Sequence, residues 1–348
     1  MVQRHPEHEF IFFFDRPWSA EFIFGPNVTP VLLYPPARHP FLFVAWFEWS
    51  VYRALKKYKA DVLLSPDGFL SLRTQTPQVA VIHDINFEHY PKDLPWLVRH
   101  YYRFFFPRFA RKAARIITVS GFSRNDIAAT YEIPDEKIAV AYNGLKDGFF
   151  ISDEPAQKPI RDQYTGGEPY FLFVGSLHPR KNVHRLLKAY EHYREYGGAI
   201  SRLVLAGATY WMNPEMKQTW KQLKRKSEVI FTGHLSQDRL AALMSAAHAM
   251  VFIPYFEGFG LPVIESFASG VPVLAANTSA LPEIAGDAAL LVDPFNTDEI
   301  AAGMERIAGD TALRNKLINA GMAQLAKFDW DASEEIIWKQ IDELAKKF

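Results

Sequence analysis

Two carboxylates stand out in FEGFGLPVIESFASGVPV at 256–273: Glu257 and Glu265, eight positions apart in a segment otherwise fit for burial. A buried carboxylate is costly unless something pairs with it or hydrogen-bonds it. The apolar run at 249–254 reads as a strand, 255–260 as its following turn, and Leu261 to about Ser269 as a helix with Gly270 as C-cap. Glu257 then lies in the loop and Glu265 about one turn inside the helix. Gly258 and Gly260 allow backbone amides to come close to a ligand. Carboxylates so placed are good acceptors for sugar and ribose hydroxyls. The plainer alternative, Glu257 as a helix cap and Glu265 paired to a lysine, explains one of the two by capping and leaves the other to a partner.

A second place for chemistry is VGSLHPRKN at 174–182. A strand ends in Gly175 and Ser176, the chain turns, and Arg180 and Lys181 open the next helix. Positive charge opposes the dipole at a helix N-terminus, whereas an anion is welcome there. A bound diphosphate would reconcile the two; a solvated basic pair is the alternative. In VIHDINFEHYP (81–91), His83 and Asp84 follow directly on a buried strand. A histidine there is either structural or a group facing a cleft. The remaining histidines, among them His39, His89, His178 and His234, form no metal-like grouping.

The familiar nucleotide and hydrolase motifs are missing. No GxGxxG follows a strand, no GxxxxGK[ST] occurs, and there is no GxSxG elbow. Lys+Arg and Asp+Glu number 39 each, which gives no reason to expect nucleic acid. Cysteine is absent, excluding disulfides and thiolate metal sites and fitting a reducing, cytoplasmic setting. The early FIFFF run is too short for a signal peptide, and no apolar run reaches bilayer length. RHYYRFFFPRFARKAAR (99–115) holds six Arg/Lys and no acid among aromatics. Such a face suits either solvent or an anionic membrane surface, with Pro107 expected to kink or restart the helix.

The elements that must position these groups alternate between short apolar runs and amphipathic stretches. Runs at 9–14, 31–34, 61–65, 79–84, 115–120 and 137–143 read as strands of a first domain. Those at 170–175, 202–207, 229–233, 249–254, 272–276 and 288–293 read as strands of a second. Wholly apolar strands separated by helices indicate parallel sheets covered on both faces. The polar, Pro/Gly-punctuated segment 151–168 reads as a linker. The expected division is 1–155, 156–330, and a terminal amphipathic helix at 331–348. Two doubly wound α/β domains imply a ligand cleft at the carboxyl ends of strands.

Glu257 and Glu265 in EGFGLPVIESFASGVPV, with VGSLHPRKN, VIFTGHLS and NTSALPEIAGDAALLVDPFN in order and spacing, resemble the signature of the retaining family 4 glycosyltransferases. VIHD, TVSGFSRNDI and AYNG extend the resemblance, which covers about residues 60–330. It implies the GT-B fold: two Rossmann-like domains facing a cleft, with the last helix packing back on the first. It implies that Glu257 holds donor-sugar hydroxyls beside the backbone of Gly258, Phe259, Gly260 and Leu261. Glu265 would accept from the ribose; Arg180 and Lys181, with Gly175 and Ser176, would hold the diphosphate. Thr232, Gly233, His234 and Leu235 would meet the base. His83 would sit between donor sugar and acceptor hydroxyl, and Asp84, Ser120 and Asn143 would line the acceptor side.

The implied reaction is front-face transfer with retention, without metal or other cofactor, from a nucleotide sugar to a glycan or lipid-linked saccharide. GDP-mannose is the favoured donor, by similarity to bacterial polysaccharide mannosyltransferases. Peripheral contact through 99–115 with the inner face of a membrane is a further expectation. An epimerase acting on the nucleotide sugar alone, or a donor-binding remnant with impaired catalysis, are the alternatives. Two departures from the family are visible. Ser176 stands where an arginine is common, and the first strand and glycine-rich loop are expected to be lacking, since the chain opens at what resembles the second strand.

Overall fold

The computed structural model describes residues 1–208 and 214–346. The chain divides into two compact units: Met1–Val119 with Ser123–Ala141 and Asp331–Phe348, and Ser120–Phe122 with Tyr142–Trp330. The division thus falls at Tyr142 rather than at 156.

The first unit holds strands β1 (Phe10–Phe14), β2 (Val28–Leu32), β3 (Leu63–Ser65), β4 (Gln78–Val81), β5 (Arg115–Thr118) and β6 (Ile138–Val140). β1 and β2 form a parallel pair of their own, while β3–β4–β5–β6 form a second parallel sheet in sequential order. Val79, Ala80, Ile116 and Ile117 of the central strands are essentially inaccessible. Ile337, Ile341 and Leu344 of the terminal helix Trp330–Ala345 pack on Val79 and Ile117. Phe106, Phe109 and Ala110 of the helix Trp96–Lys112 pack on Ile82 and Ile116.

That helix runs unbroken through Pro107, so it does not restart there. Buried aromatics on both sides of the proline anchor the two halves, and the Arg108 guanidinium donates to the Phe104 carbonyl on the disturbed turn. The expected linker is also corrected. Glu154–Thr165 is an α-helix, with the Asp153 carboxylate accepting from Ala156 N at 3.1 Å and Gly166 ending it in a left-handed conformation. Pro155 and Pro159 hide it from periodicity; Pro155 falls in the first turn, where a missing N–H costs least, while Pro159 lies inside the helix.

The second unit holds β7 (Tyr170–Val174), β8 (Arg202–Ala206), β9 (Val229–Gly233), β10 (Ala249–Phe252), β11 (Val273–Ala276) and β12 (Ala289–Val292). All pair in parallel, in the order β12–β11–β10–β7–β8–β9. Every residue of β7, β10 and β11 is buried, as strands covered on both faces require. The strand order reverses between β7 and β10. At such a switch point the loops leaving two neighbouring strands diverge to opposite faces and leave a crevice at their carboxyl ends.

Candidate active site

The crevice is bordered by the loop after β7 and the loop after β10, which carry the basic pair and Glu257. Beyond β7, the backbone must pass very close to its neighbour. A Cβ added at Gly207 (φ +150°) would lie 1.9 Å from the Gly175 carbonyl oxygen. Residues Pro179–Lys181 then form one 3₁₀ turn, with His178 as its cap accepting from Arg180 N at 3.3 Å. Asn182, at φ +62°, turns the chain into the helix Val183–Glu195. Its buried amide donates to the carbonyls of Ile253 (3.0 Å) and Pro294 (2.7 Å), and Tyr255 N donates to Arg180 O at 3.0 Å. These bonds hold the basic turn against the loop after β10.

Arg180 Nη1 and Lys181 Nζ each lie 2.6 Å from Glu257 Oε2. Lys181 is buried and its ammonium lies 4.8 Å from the Phe252 ring centroid. Glu257 N donates to Ser279 Oγ at 3.0 Å, which ties down the backbone that carries the carboxylate. Burial opposes ionisation of Glu257, but Lys181 and Arg180 outweigh it and hold the carboxyl below its usual range. The partners of one buried carboxylate are thus the two cations placed in the other motif. Among the described residues no hydrogen bond reaches Glu257 Oε1.

Glu257 does not cap the helix Leu261–Ala268; Gly260, at φ +107°, occupies the cap position. Inside this helix Glu265 is 8 % exposed, and among the described residues no group hydrogen-bonds its carboxylate. Burial pushes it up to about 7, with Lys146 opposing weakly. Phe259 is buried against Phe328 at 5.6 Å, so only its backbone borders the loop. Thr232 sits where the β8–β9 register shifts, and its hydroxyl donates to Gly233 O at 3.0 Å. His234 beyond it is exposed and Leu235 half-buried. Gly175 and Ser176 are half-buried at the end of β7.

Ser120 clusters with the second unit, donating to Gly258 O at 2.7 Å from full burial. Asn143 is half-buried in the same unit. His83 and Asp84 belong to the first unit. His83 is exposed with Nε2 3.0 Å from Pro66 O, while Asp84 Oδ1 accepts from Asn86 N (3.0 Å) and Nδ2 (2.6 Å) as the start of a short helix. Two positioning groups escaped the sequence reading: Ser279, and Glu283, whose carboxylate accepts from Gly121 N (2.7 Å), Phe122 N (2.8 Å) and Tyr142 OH (2.9 Å). The signal for Glu283 was the same as for Glu257, a lone acid in an uncharged run, here 271–286.

Two family descriptions match the chain: "Glycosyltransferase Family 4" over residues 4–147 and "Glycosyl transferases group 1" over 157–324. It is 31% identical to the O-antigen chain mannosyltransferase B of Escherichia coli over 284 residues, 80% of this chain and 73% of that one. To the O-antigen chain mannosyltransferase RfbU of Salmonella typhimurium it is 26% identical, with 90% and 82% covered. In structure it resembles WaaG, a glycosyltransferase involved in lipopolysaccharide biosynthesis, with a TM-score of 0.74 at 16% identity over 95% of this chain and 91% of that one.

Proposed function

The chain belongs to glycosyltransferase family 4 and has its GT-B fold, and from that premise we propose that it moves mannose from GDP-mannose, with retention and without a metal, onto a glycan or lipid-linked saccharide. The observation that carries this reading is the Arg180–Lys181–Glu257 cluster at the switch point between β7 and β10. Two cations held side by side, Lys181 buried and Arg180 half-buried, suit the diphosphate of a nucleotide sugar and the charge that grows on it as the glycosyl bond breaks. Glu257 holds both cations in place and keeps Oε1 for hydroxyls of the transferred sugar. Glu265, ionisable and without a hydrogen-bond partner for its carboxylate among the described residues, suits the ribose hydroxyls.

In this scheme the leaving phosphate takes the acceptor proton, and His83 positions the acceptor hydroxyl. No carboxylate is assigned as a nucleophile. Mannose is suggested by the names of the two O-antigen mannosyltransferase relatives, and GDP by the resemblance of HPRKN and VIHD to mannosyltransferases of bacterial polysaccharide assembly. The acceptor side has a counterpart in the first unit. A cavity of about 510 Å³ is lined by Arg99, His100, Arg103 and Arg111 with Glu88 and Tyr131, and Trp96 and Phe104 of the same helix are exposed. This suits an anionic lipid surface, which would place the enzyme peripherally on the inner membrane face.

Calorimetric titration with GDP, UDP and ADP, and then with their mannose and glucose conjugates in chelator, tests the donor. Selective GDP and GDP-mannose binding is expected. Selective binding of another nucleotide would overturn the donor assignment, and binding of none by folded protein would overturn the site.

A further inference from the structure

The loop that carries Glu257 is held from two sides. On one side, Glu257 N donates to Ser279 Oγ at 3.0 Å and Ala280 N donates to Glu257 O at 3.2 Å. Ser279 makes its bond from a left-handed backbone, φ +55°, which a residue with a side chain keeps only where its surroundings impose it. On the other side, the buried Ser120 hydroxyl donates to Gly258 O at 2.7 Å. The Phe122 ring meets Phe256 edge to face at 5.6 Å, and the Tyr142 ring lies 6.2 Å from that of Phe259. Each residue of 256–259 is thus touched by 279–280 or by 120, 122 and 142. All of them belong to the second unit.

One carboxylate joins the two sides. Glu283 lies one turn beyond Ser279, half-buried in the short helix Leu281–Ala285. Its Oε1 accepts from Gly121 N and Tyr142 OH, and its Oε2 from Phe122 N. Gly121 and Phe122 open the helix Gly121–Tyr131, so their amides have no acceptor within it. Two amides need two oxygens. A carboxylate supplies both, whereas a carboxamide supplies one and turns its NH2 to the other amide. The fit is close as well, since a Cβ at Gly121 would stand 3.3 Å from both Glu283 oxygens. Helices are ordinarily capped by a neighbouring residue. Here the acceptor comes from 162 positions along the chain, out of the very segment that holds the Glu257 backbone.

We propose that Glu283 is a positioning residue for Glu257. By holding 120–122 and Tyr142 against residues 256–259, it keeps the Glu257 carboxylate on Lys181 and Arg180, in register with the transferred sugar. The sugar's place rests on the donor reading above; the coupling of Glu283 to Glu257 does not.

The test uses the whole chain with no donor present. Glu283→Gln takes away one of the two oxygens. Exchange of the Glu257 amide, whose own acceptor is Ser279, should then accelerate roughly tenfold, the scale of one lost hydrogen bond, with β7 and β8 unchanged. The Glu257 carboxyl resonance, followed by carbon NMR against pH, should titrate higher than in the parent, where Lys181 and Arg180 hold it below its usual range. Gly121→Ala crowds the carboxylate without removing it and should move both readings the same way by less. It decides the matter if Glu283→Gln does not fold. The proposal is overturned if the Gly121 and Phe122 amides alone accelerate while Glu257 keeps its exchange and its titration, for Glu283 is then a helix cap and no more. It is equally overturned if all amides of the second unit accelerate alike, the mark of a general loss of stability. Because no donor enters, a parent chain that fails to bind GDP-mannose would remove the donor reading and leave this result standing.

Discussion

Glu257 has two duties that a substitution can separate. It neutralises Lys181 and Arg180 at 2.6 Å, and it presents a second oxygen to whatever occupies the crevice. Glu257→Gln keeps the shape and removes the charge. The cations then lose this negative charge but remain available to a diphosphate, so GDP affinity should hold or rise while transfer falls. Losing hydrogen bonds from hydroxyls to a carboxylate costs about 1–3 kcal/mol each, or roughly five- to 150-fold in rate. Initial rates beside calorimetry separate the effects; an unchanged rate would sink the proposed site. Glu265 behaves differently because burial raises it to about 7. The folded chain holds a proton there that the unfolded chain releases, so stability falls as pH rises from the ordinary carboxylate range to about 7, and the whole penalty stands above that. Glu265→Gln should therefore raise the melting temperature relative to the parent at pH 8 and much less at pH 5. If ribose hydroxyls donate to this carboxylate, GDP binding near pH 7 will release a proton, visible as a buffer-dependent binding enthalpy. A melting difference independent of pH would contradict the burial effect.

The elements show where the sequence was legible and where it was not. Strands betrayed themselves because parallel sheets buried on both faces need unbroken apolar runs, as in YFLFV at β7 and AMVF at β10. Glycine, proline and charge mark a turn after β7, but Arg180 and Lys181, expected to open the next helix, lie in the 3₁₀ turn ahead of its Asn182 cap. Their contact with Glu257 was not legible, since it depends on strand order, and β7 and β10 meet only when the sheet is doubly wound. The helix Glu154–Thr165 was hidden by two prolines and a mostly polar surface, although Asp153 and Gly166 mark its ends. Periodicity outweighed caps in that reading, and the caps were right. The helix Trp96–Lys112 was read from charge and aromatics, and its exposed Trp96 and Phe104 sit on the same element as the arginines lining the smaller cavity. Anionic attraction of this kind is worth about 1 kcal/mol per cation near the surface and is screened by salt. Arg99→Glu with Arg103→Glu should then reduce sedimentation with phosphatidylglycerol vesicles at least tenfold, with GDP binding untouched. Equal binding of parent and variant, or equal binding to neutral phosphatidylcholine vesicles, would remove the membrane from the proposal.

At the scale of the whole chain, the two units differ in how complete their cores are. The second carries a six-stranded sheet whose central strands are wholly buried, and it holds every residue assigned to the donor. The first carries two sheets with an open space between them. A unit with unpaired strand edges and an unfilled cavity forfeits both hydrogen bonds and packing, so it should be the first to unfold. Heating should consequently give two calorimetric transitions, the lower from the first unit. A nucleotide bound to the native second unit alone stabilises that unit by mass action, about 2.7 kcal/mol at a hundredfold excess over Kd. For a unit of this size that amounts to roughly 5–10 °C on the upper transition. If GDP moved the lower transition as far as the upper, or if the chain melted in one step that GDP shifts as a whole, the units would be a single cooperative body.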